Sequence, residues 1–271
     1  MLQPATRDRA CDGPSGGRSG AGPDRAAASL RRVVDICGTL RVDILTPGRP
    51  APMPGRELLG VAGLSDGGVR VLVAAEAARI EAEHGRAPRT HVAASRLLHH
   101  LLWSAALLFS GPWYLTGEVP RLGARDCWID AATGGLTVRP ATGALGGEAE
   151  LRDAVAAFVG PLLDAFAPYV KRGQRALWGM AADDLLSGIW YLGRMLGEEE
   201  HAIRVAGAVL PGDTRPFPGA ADFRLLHGTS GRTHPTRTRL GCCLYYAIRP
   251  AEACITCPRT CDEERVRRLE L

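Results

Sequence analysis

The sequence predicts a mainly helical protein of the α+β class, with a small β-hairpin insert and a short cysteine-rich C-terminal module. Apolar residues recur at helical spacing over several long stretches between residues 27 and 210. Two short apolar runs flank Gly134-Gly135, which is the pattern of a hairpin. Five of the eight cysteines fall in residues 242–271. These three observations divide the chain into a helical body and a terminal module.

The first residues of the chain differ in composition from the rest. Residues 1–26 are rich in Gly, Pro, Ser and charge. Such a segment cannot bury enough apolar surface to offset the cost of ordering, so we expect a disordered tail. Helical patterning begins near Ala27, and Cys37 falls on the apolar face of this first helix. We expect Cys37 to be a buried, small hydrophobic residue.

Four further helices are expected in the mainly helical domain, residues 27–210. They are predicted over about residues 68–84, 91–109, 148–170 and 174–200. Each has apolar residues spaced to form one face. Residues 68–84 and 91–109 contain no proline. Gly111-Pro112 is a stop signal and is expected to end the second of them.

The sequence pattern also predicts two segments that are not helical. The runs Cys127–Ile129 and Leu136–Val138 predict the β-hairpin, with Cys127 in a structural role. Residues 211–241 are rich in Pro, Gly, Thr and Arg and predict a solvated basic loop. The loop connects the helical domain to the C-terminal module, residues 242–271.

Charge and hydropathy exclude several classes of protein. The chain has 33 basic and 29 acidic residues, which does not indicate a nucleic-acid-binding protein. No run of about 18 apolar residues is uninterrupted by charge, so no membrane span is expected. Residues 1–26 lack the apolar core of a secretory signal, and we therefore expect a cytoplasmic protein. Clustered cysteines in that compartment usually bind metal, because disulfides are rare there.

The cysteine spacing narrows the kind of metal site. Cys242 and Cys243 are adjacent. Ten residues separate Cys243 from Cys254, and two residues separate Cys254 from Cys257. Zinc sites usually contain pairs of cysteines two to four residues apart, which only the second pair matches. A [2Fe–2S] cluster spreads its ligand positions over a longer object and accommodates adjacent cysteines better. The spacing favours the cluster, and leaves zinc and a redox-active dithiol open.

The segment RLGCCLYYAIRPAEACITCP resembles the C-terminal motif of the FhuF-like ferric-siderophore reductases. That motif has adjacent cysteines, ten residues and then CxxC, with an arginine before the first pair and an aromatic residue after it. The matching positions are Arg239, Cys242, Cys243, Tyr245, Cys254, Cys257 and Pro258. Ala93-Ala94-Ser95 and Leu177-Trp178-Gly179 also look like parts of the family's helical body. Cys261 is an additional thiol beyond the motif, for which we expect no role.

The resemblance implies a cofactor, a reaction and partners. It implies a [2Fe–2S] cluster held by Cys242, Cys243, Cys254 and Cys257. It also implies a cytoplasmic enzyme that reduces a ferric siderophore by one electron and releases Fe(II). No glycine-rich nucleotide loop follows a strand, so the electron is expected to come from a separate donor such as a ferredoxin or a reductase.

Three arginines near the motif are candidates for a supporting role. Arg237, Arg239 and Arg249 are close to the cysteines in sequence. Their charge is expected to tune the cluster or to attract an anionic ferric chelate. Two other functions remain open: an electron-transfer or iron-sensing [2Fe–2S] protein with another partner, and a zinc-binding interaction module without enzymatic activity.

Overall fold

The computed structural model describes residues 23–45, 55–141 and 144–271. The predicted tail, residues 1–26, lies outside the described residues except for its last four, which begin the first helix. The described helices are α1 (Pro23–Ile36), α2 (Asp66–His84), α3 (Thr90–Thr116), α4 (Glu148–Val170), α5 (Gln174–Met195), α6 (Glu199–Val209) and α7 (Asp262–Leu269). The described strands are β1 (Val42–Ile44), β2 (Leu58–Gly60), β3 (Glu118–Pro120), β4 (Cys127–Asp130), β5 (Leu136–Val138), β6 (Ala144–Gly146), β7 (Arg224–His227) and β8 (Thr233–Thr236). The mainly helical α+β class is confirmed.

Helix α3 is the centre of the helical body. Helices α1, α2, α4 and α5 all pack against it. Its residues Leu98, Leu101 and Phe109 are fully buried, and the ring of Phe109 meets that of Phe158 edge to face at 5.3 Å. Edge-to-face packing is a favoured geometry for aromatic pairs. Cys37 and Cys127 are buried, as the sequence predicted.

The predicted end of α3 is wrong. The helix continues through Gly111-Pro112 to Thr116 and ends at Gly117, whose φ is 73°. A Cβ at position 111 would lie 2.6 Å from Val33, so the glycine allows α1 to approach closely. The glycine at position 111 is therefore explained by close packing and not by a helix end. The helix loses one hydrogen bond at Pro112, which has no N–H, and continues past it.

The predicted helix over residues 174–200 is two helices. Helix α5 ends at Met195, and α6 begins at Glu199. Gly197 lies between them with φ of 74°, a conformation that favours glycine and reverses the chain. The helix predicted over residues 148–170 has those bounds in the structure.

The strands form small sheets beside the helices. The predicted hairpin is present as β4 and β5, and β1 and β2 extend it to a four-stranded sheet of order β1-β5-β4-β2. Strand β1 is parallel to β5, whereas β2 is antiparallel to β4. Strands β3 and β6 form a second antiparallel pair.

The expectation that residues 211–241 form only a loop is also wrong. Strands β7 and β8 pair there as an antiparallel hairpin, with Leu226 opposite His234. Pro235 lies in β8, and a proline within such a run argues against a strand when only the sequence is read. Among the described strands, β8 pairs only with β7, so the proline can lie where no second strand requires an N–H donor.

Two described helices, α3 and α4, are long and apolar enough to cross a membrane by length and composition. In α3, 72% of the most apolar window is buried in the protein, as expected of a core helix. In α4 the corresponding figure is 39%, and α4 packs on α3, α5 and α6. Neither helix therefore indicates a clear membrane span.

Candidate metal centre

The four motif cysteines come together in two short loops. Cys242 and Cys243 precede the 3₁₀ turn Tyr245–Ala247, and Cys254 and Cys257 follow a second such turn. The thiols of Cys243 and Cys254 lie close enough to shift one another's pKa, and the thiol of Cys257 raises the pKa of Cys242. Among the described residues, no three His, Cys, Asp or Glu side chains converge on a single ion. The thiols therefore meet as two pairs.

The four thiols differ in burial, and those whose pKa is shifted differ in the direction of the shift. Cys243 and Cys257 are buried, whereas Cys242 and Cys254 are half-buried. The hydrogen bond from Cys254 lowers the pKa of Cys243, and the charges of His99 and Arg96 lower this pKa further. The same hydrogen bond raises the pKa of Cys254, while burial raises that of Cys242. Cys243 is thus poised as a thiolate, the form that binds metal.

Arg96 on α3 reaches this thiolate from the helical body. Its Nη1 donates a hydrogen bond to Cys243 Sγ at 3.2 Å. The guanidinium also lies over the ring of Tyr245, 4.8 Å from its centroid, and Nη2 lies 2.9 Å from His100 Nε2. The sequence reasoning assigned no role to Arg96. The available signal was a charge within an apolar helix.

Asp183 on α5 holds the segment that leads into the cysteines. Its carboxylate accepts hydrogen bonds from Arg237 Nη2 at 2.7 Å and from the backbone N–H groups of Leu240 and Gly241 at 3.1 and 2.7 Å. Asp183 and Arg237 are both completely buried. This network fixes the backbone immediately before Cys242.

Asp184, the next residue, makes a second anchor. Its carboxylate accepts a hydrogen bond from Arg239 Nη2 at 2.7 Å and lies 2.9 Å from His99 Nδ1. Burial pushes the pKa of Asp184 upward, but His99 and Arg239 outweigh it and the pKa lies below its usual range. Arg239 in turn donates its backbone N–H to Thr256 O at 3.0 Å. Asp184 is therefore connected to both cysteine loops.

The arginines predicted near the site have different surroundings. Arg237 and Arg239 are buried, so the expectation of a solvated basic loop is wrong for both, because the acidic pair on α5 draws them inward. Because Arg237 is completely buried, it cannot contact a substrate. Arg249 is exposed and pairs with Glu252. A role of these arginines in tuning the cluster stays a prediction.

Helix α7 also contacts the cysteine loop that contains Cys254 and Cys257. Arg265 is 2% exposed and donates to Ile255 O at 2.8 Å and to Cys257 O at 2.9 Å. Cys261 is exposed, directly precedes α7 and belongs to neither thiol pair. The sequence reasoning did not find Arg265.

A comparison with protein-family models finds one match in this segment. Residues 239–259 match the family model described as the FhuF 2Fe-2S C-terminal domain. The segment is therefore similar to that domain. The match contains all four motif cysteines and confirms the resemblance found in the sequence. The comparison with curated proteins finds no match to the chain.

The cofactor of the FhuF 2Fe-2S domain is a [2Fe–2S] cluster, and the residues present fit it. Such a cluster takes four cysteine ligands, two on each iron. Cys242, Cys243, Cys254 and Cys257 provide this number of thiols, and Cys243 and Cys257 are buried while Cys242 and Cys254 are half-buried. The match decides between the cluster and zinc, which the spacing had left open.

Proposed function

We propose that the protein is a cytoplasmic one-electron oxidoreductase that reduces a ferric siderophore and releases its iron as Fe(II). The observation that carries the proposal is the FhuF 2Fe-2S domain at residues 239–259, which suggests the siderophore-iron reductase family. Siderophores hold Fe(III) through hard oxygen donors, and the same donors hold Fe(II) far more weakly. Reduction is therefore a mechanism of release.

The surroundings of the cysteines suit this reaction. When bound, the cluster supplies one electron at a time. Arg96 donates to Cys243, and a donor to a ligand sulfur favours the more negative, reduced state. Cys242 and Cys254 are half-buried, which leaves a side of the site accessible to partners. In this proposal a separate protein, such as a ferredoxin or a reductase, supplies the electron.

Reoxidation by ferric chelates tests the proposal. The protein is purified without oxygen, its cluster is reduced, and it is mixed with ferric siderophores of several chemical classes. We expect the visible absorption of the oxidised cluster to return as Fe(II) appears, with one Fe(II) for each cluster oxidised. Reoxidation by an oxidised ferredoxin, without reoxidation by any ferric chelate, would contradict the proposal and favour an electron-transfer protein.

A further inference from the structure

We propose that the surface next to Cys242 is the docking site of the electron donor, and that this donor is a small acidic carrier protein of the ferredoxin type. We call this surface the Leu240 face and define it as Leu240 together with the segments 171–175 and 213–219. The inference rests on the proposed function, because it concerns the protein that reduces the cluster. It adds the place where that protein binds and the sign of the charge that it carries.

Leu240 is the apolar centre of the face. Its side chain is 47% exposed, although its backbone N–H donates a hydrogen bond to the buried Asp183 at 3.1 Å. The side chain rests on two glycines. A Cβ at Gly179 on α5 would lie 3.3 Å from Leu240 Cβ, and a Cβ at Gly219 would lie 3.0 Å from Leu240 Cδ1. The leucine therefore packs against the protein on one side and is open to a partner on the other.

The face is close to a predicted ligand of the cluster. Cys242 is half-buried and follows Leu240 by two residues, so their Cα atoms are at most about 7.6 Å apart. Between them, a Cβ at Gly241 would lie 2.6 Å from Met180 Cγ. The Sδ of Met180 lies 3.8 Å from Arg172 Nη1, so this arginine reaches the same place from the connection between α4 and α5. A protein that contacts Leu240 is therefore next to the cysteines.

An open crevice of about 580 Å³ lies beside Leu240. Gly219, which contacts Leu240, lines the crevice together with Arg175 and Arg215. Both arginines are exposed and form no ion pair with any residue that the structure describes. Asp213 is the one carboxylate in the described lining of the crevice. The two arginines can therefore pair with carboxylates of a partner.

The charge of the Leu240 face is positive. Its two segments contain one carboxylate and four cations, which are Lys171, Arg172, Arg175 and Arg215. None of these four cations forms an ion pair with a described residue. Asp164 is a second carboxylate nearby, because Gln174 donates a hydrogen bond to it at 3.0 Å. Four unpaired cations against two carboxylates give the face a net positive charge.

Most arginines of the C-terminal module, by contrast, have acidic partners within that module. Arg249 pairs with Glu252, and Arg267 and Arg268 both pair with Glu264. Their charges are therefore compensated locally, whereas those of the Leu240 face are available to a partner.

A positive face next to the cluster fits an acidic electron carrier. Opposite charges steer two proteins together and raise their association rate by about 10-fold to 1,000-fold. Complexes of redox proteins are small, often below about 1,200 Å² of buried surface, which suits an apolar centre with a charged rim. A second copy of this chain fits less well, because a twofold contact would bring the cations of one face against those of the other.

The step that this contact serves is the transfer of one electron. The reduced carrier gives the electron to the oxidised cluster, so that the carrier is oxidised and the cluster is reduced. No covalent bond forms or breaks. The electron enters on the side of Cys242.

The rate of this transfer can be measured directly. The whole chain with its cluster oxidised is mixed, without oxygen, with a reduced plant-type [2Fe–2S] ferredoxin, which is an acidic protein. Samples are frozen at successive times, and electron paramagnetic resonance follows the growth of the reduced cluster against reference spectra of each protein alone. We expect the second-order rate constant to fall steeply as salt is added, because salt screens the attraction between exposed charges.

Two variants test the two parts of the face. Arg175→Gln/Arg215→Gln removes two positive charges, and at low salt we expect the rate constant to fall about tenfold. Leu240→Ser removes the apolar centre and is expected to lower the rate constant at high salt as well, where the charges are screened. Visible absorption and a redox titration establish that each variant keeps its cluster and its potential.

The matched controls make the same changes elsewhere. Arg31 and Arg125 are exposed, form no ion pair with a described residue and do not line the crevice, so Arg31→Gln/Arg125→Gln is expected to leave the rate constant unchanged. Val71→Ser, which removes a 43% exposed apolar side chain from α2, is also expected to have no effect. The methyl viologen radical, a small cationic reductant, is expected to reduce every variant at least as fast as the parent.

Four outcomes would overturn the inference. An unchanged rate constant in Arg175→Gln/Arg215→Gln would place the docking site elsewhere, and an equal loss in Arg31→Gln/Arg125→Gln would mean that only net charge matters. A rate constant that does not fall with salt would reject an acidic partner. A dimer in sedimentation velocity that Leu240→Ser dissociates would assign the face to a second copy of the chain. Ferric chelates could still reoxidise a chemically reduced cluster in each case, so the proposed function would stand separately.

Discussion

Arg96 on α3 donates a hydrogen bond to the sulfur of Cys243 at 3.2 Å, although 147 positions separate the two residues in the chain. The contact joins the central helix of the body to the terminal cysteine module. It places a permanent cation beside a thiol that we predict to be a cluster ligand. There the cation would stabilise the reduced cluster, which is more negative, more than the oxidised cluster.

Replacing Arg96 with Gln is expected to lower the reduction potential of the cluster. The variant loses a positive charge that favours the more negative, reduced state. We expect a fall of about 60 mV, which corresponds to a tenfold change in a one-electron equilibrium. A redox titration followed by electron paramagnetic resonance measures it. Arg89→Gln removes an exposed charge just before the same helix and should leave the potential unchanged, and an equal shift in both variants would contradict the role of the contact.

Replacing Cys243 with Ser is expected to abolish or severely destabilise the cluster. A serine hydroxyl is a much poorer ligand for iron than a thiolate, and Cys243 is the thiol whose pKa is lowered in the site. Iron and sulfide analysis with the visible spectrum measures cluster content. Cys261→Ser is the matched control, because Cys261 is exposed and belongs to neither thiol pair. Normal iron content in Cys243→Ser would refute the ligand assignment.

Replacing Asp183 with Leu is expected to lower the free energy of unfolding by about 3–5 kcal/mol, because the charge of Arg237 is left buried without its partner. Arg237→Met is expected to cost less, since Asp183 keeps two backbone donors. The double variant should cost less than the sum of the single ones. Denaturant unfolding without oxygen measures all three.

The control for this cycle is an ion pair at the surface. Arg70 pairs with Asp66 on α2, and both are largely exposed. Arg70→Met is expected to change the free energy of unfolding by less than about 1 kcal/mol. Additive effects of Asp183→Leu and Arg237→Met would show that the two side chains do not stabilise the fold as a unit.

Replacing Gly241 with Ala is expected to destabilise the protein by about 1–3 kcal/mol and to reduce cluster content. A Cβ at this position would lie 2.6 Å from Met180 Cγ and 3.3 Å from the Met180 backbone, so the loop would have to move away from α5. Thermal unfolding and iron analysis measure both effects. In Gly207→Ala the new Cβ meets no atom within 4 Å, and this variant should be as stable as the parent or more stable. Intact cluster content in Gly241→Ala would contradict the close approach.

Local patterns were sufficient to predict much of the fold. Helix α4 has an apolar face over its whole length, and its predicted and observed bounds agree. The hairpin β4–β5 was predictable because its turn and its alternating runs lie within twelve residues. Where the sequence prediction failed, at Gly111 and Pro235, a neighbouring element determines the conformation.

In the candidate site, too, local features were predictable from the sequence and contacts between distant residues were not. The cysteine spacing is local. It favoured a [2Fe–2S] cluster over zinc, and the resemblance of the motif implied the cluster that the family match supports. The partners of the site are not local: 54 positions separate Asp183 from Arg237. Two adjacent aspartates in an apolar helix were a visible signal of a buried ionic network, but nothing in the sequence identified the residues that they bind.

The anchoring of the cysteine loop by α3 and α5 also has a consequence for biogenesis. Arg96 and Asp183 leave the ribosome before Cys242, but Asp183 has no partner until Arg237 is made, so the surface that receives the loop is completed only when that segment docks. Iron loss need not unfold such a protein. We expect the body and the docked loop to persist as an apoprotein, because the contacts that anchor the loop are made between protein groups and need no metal.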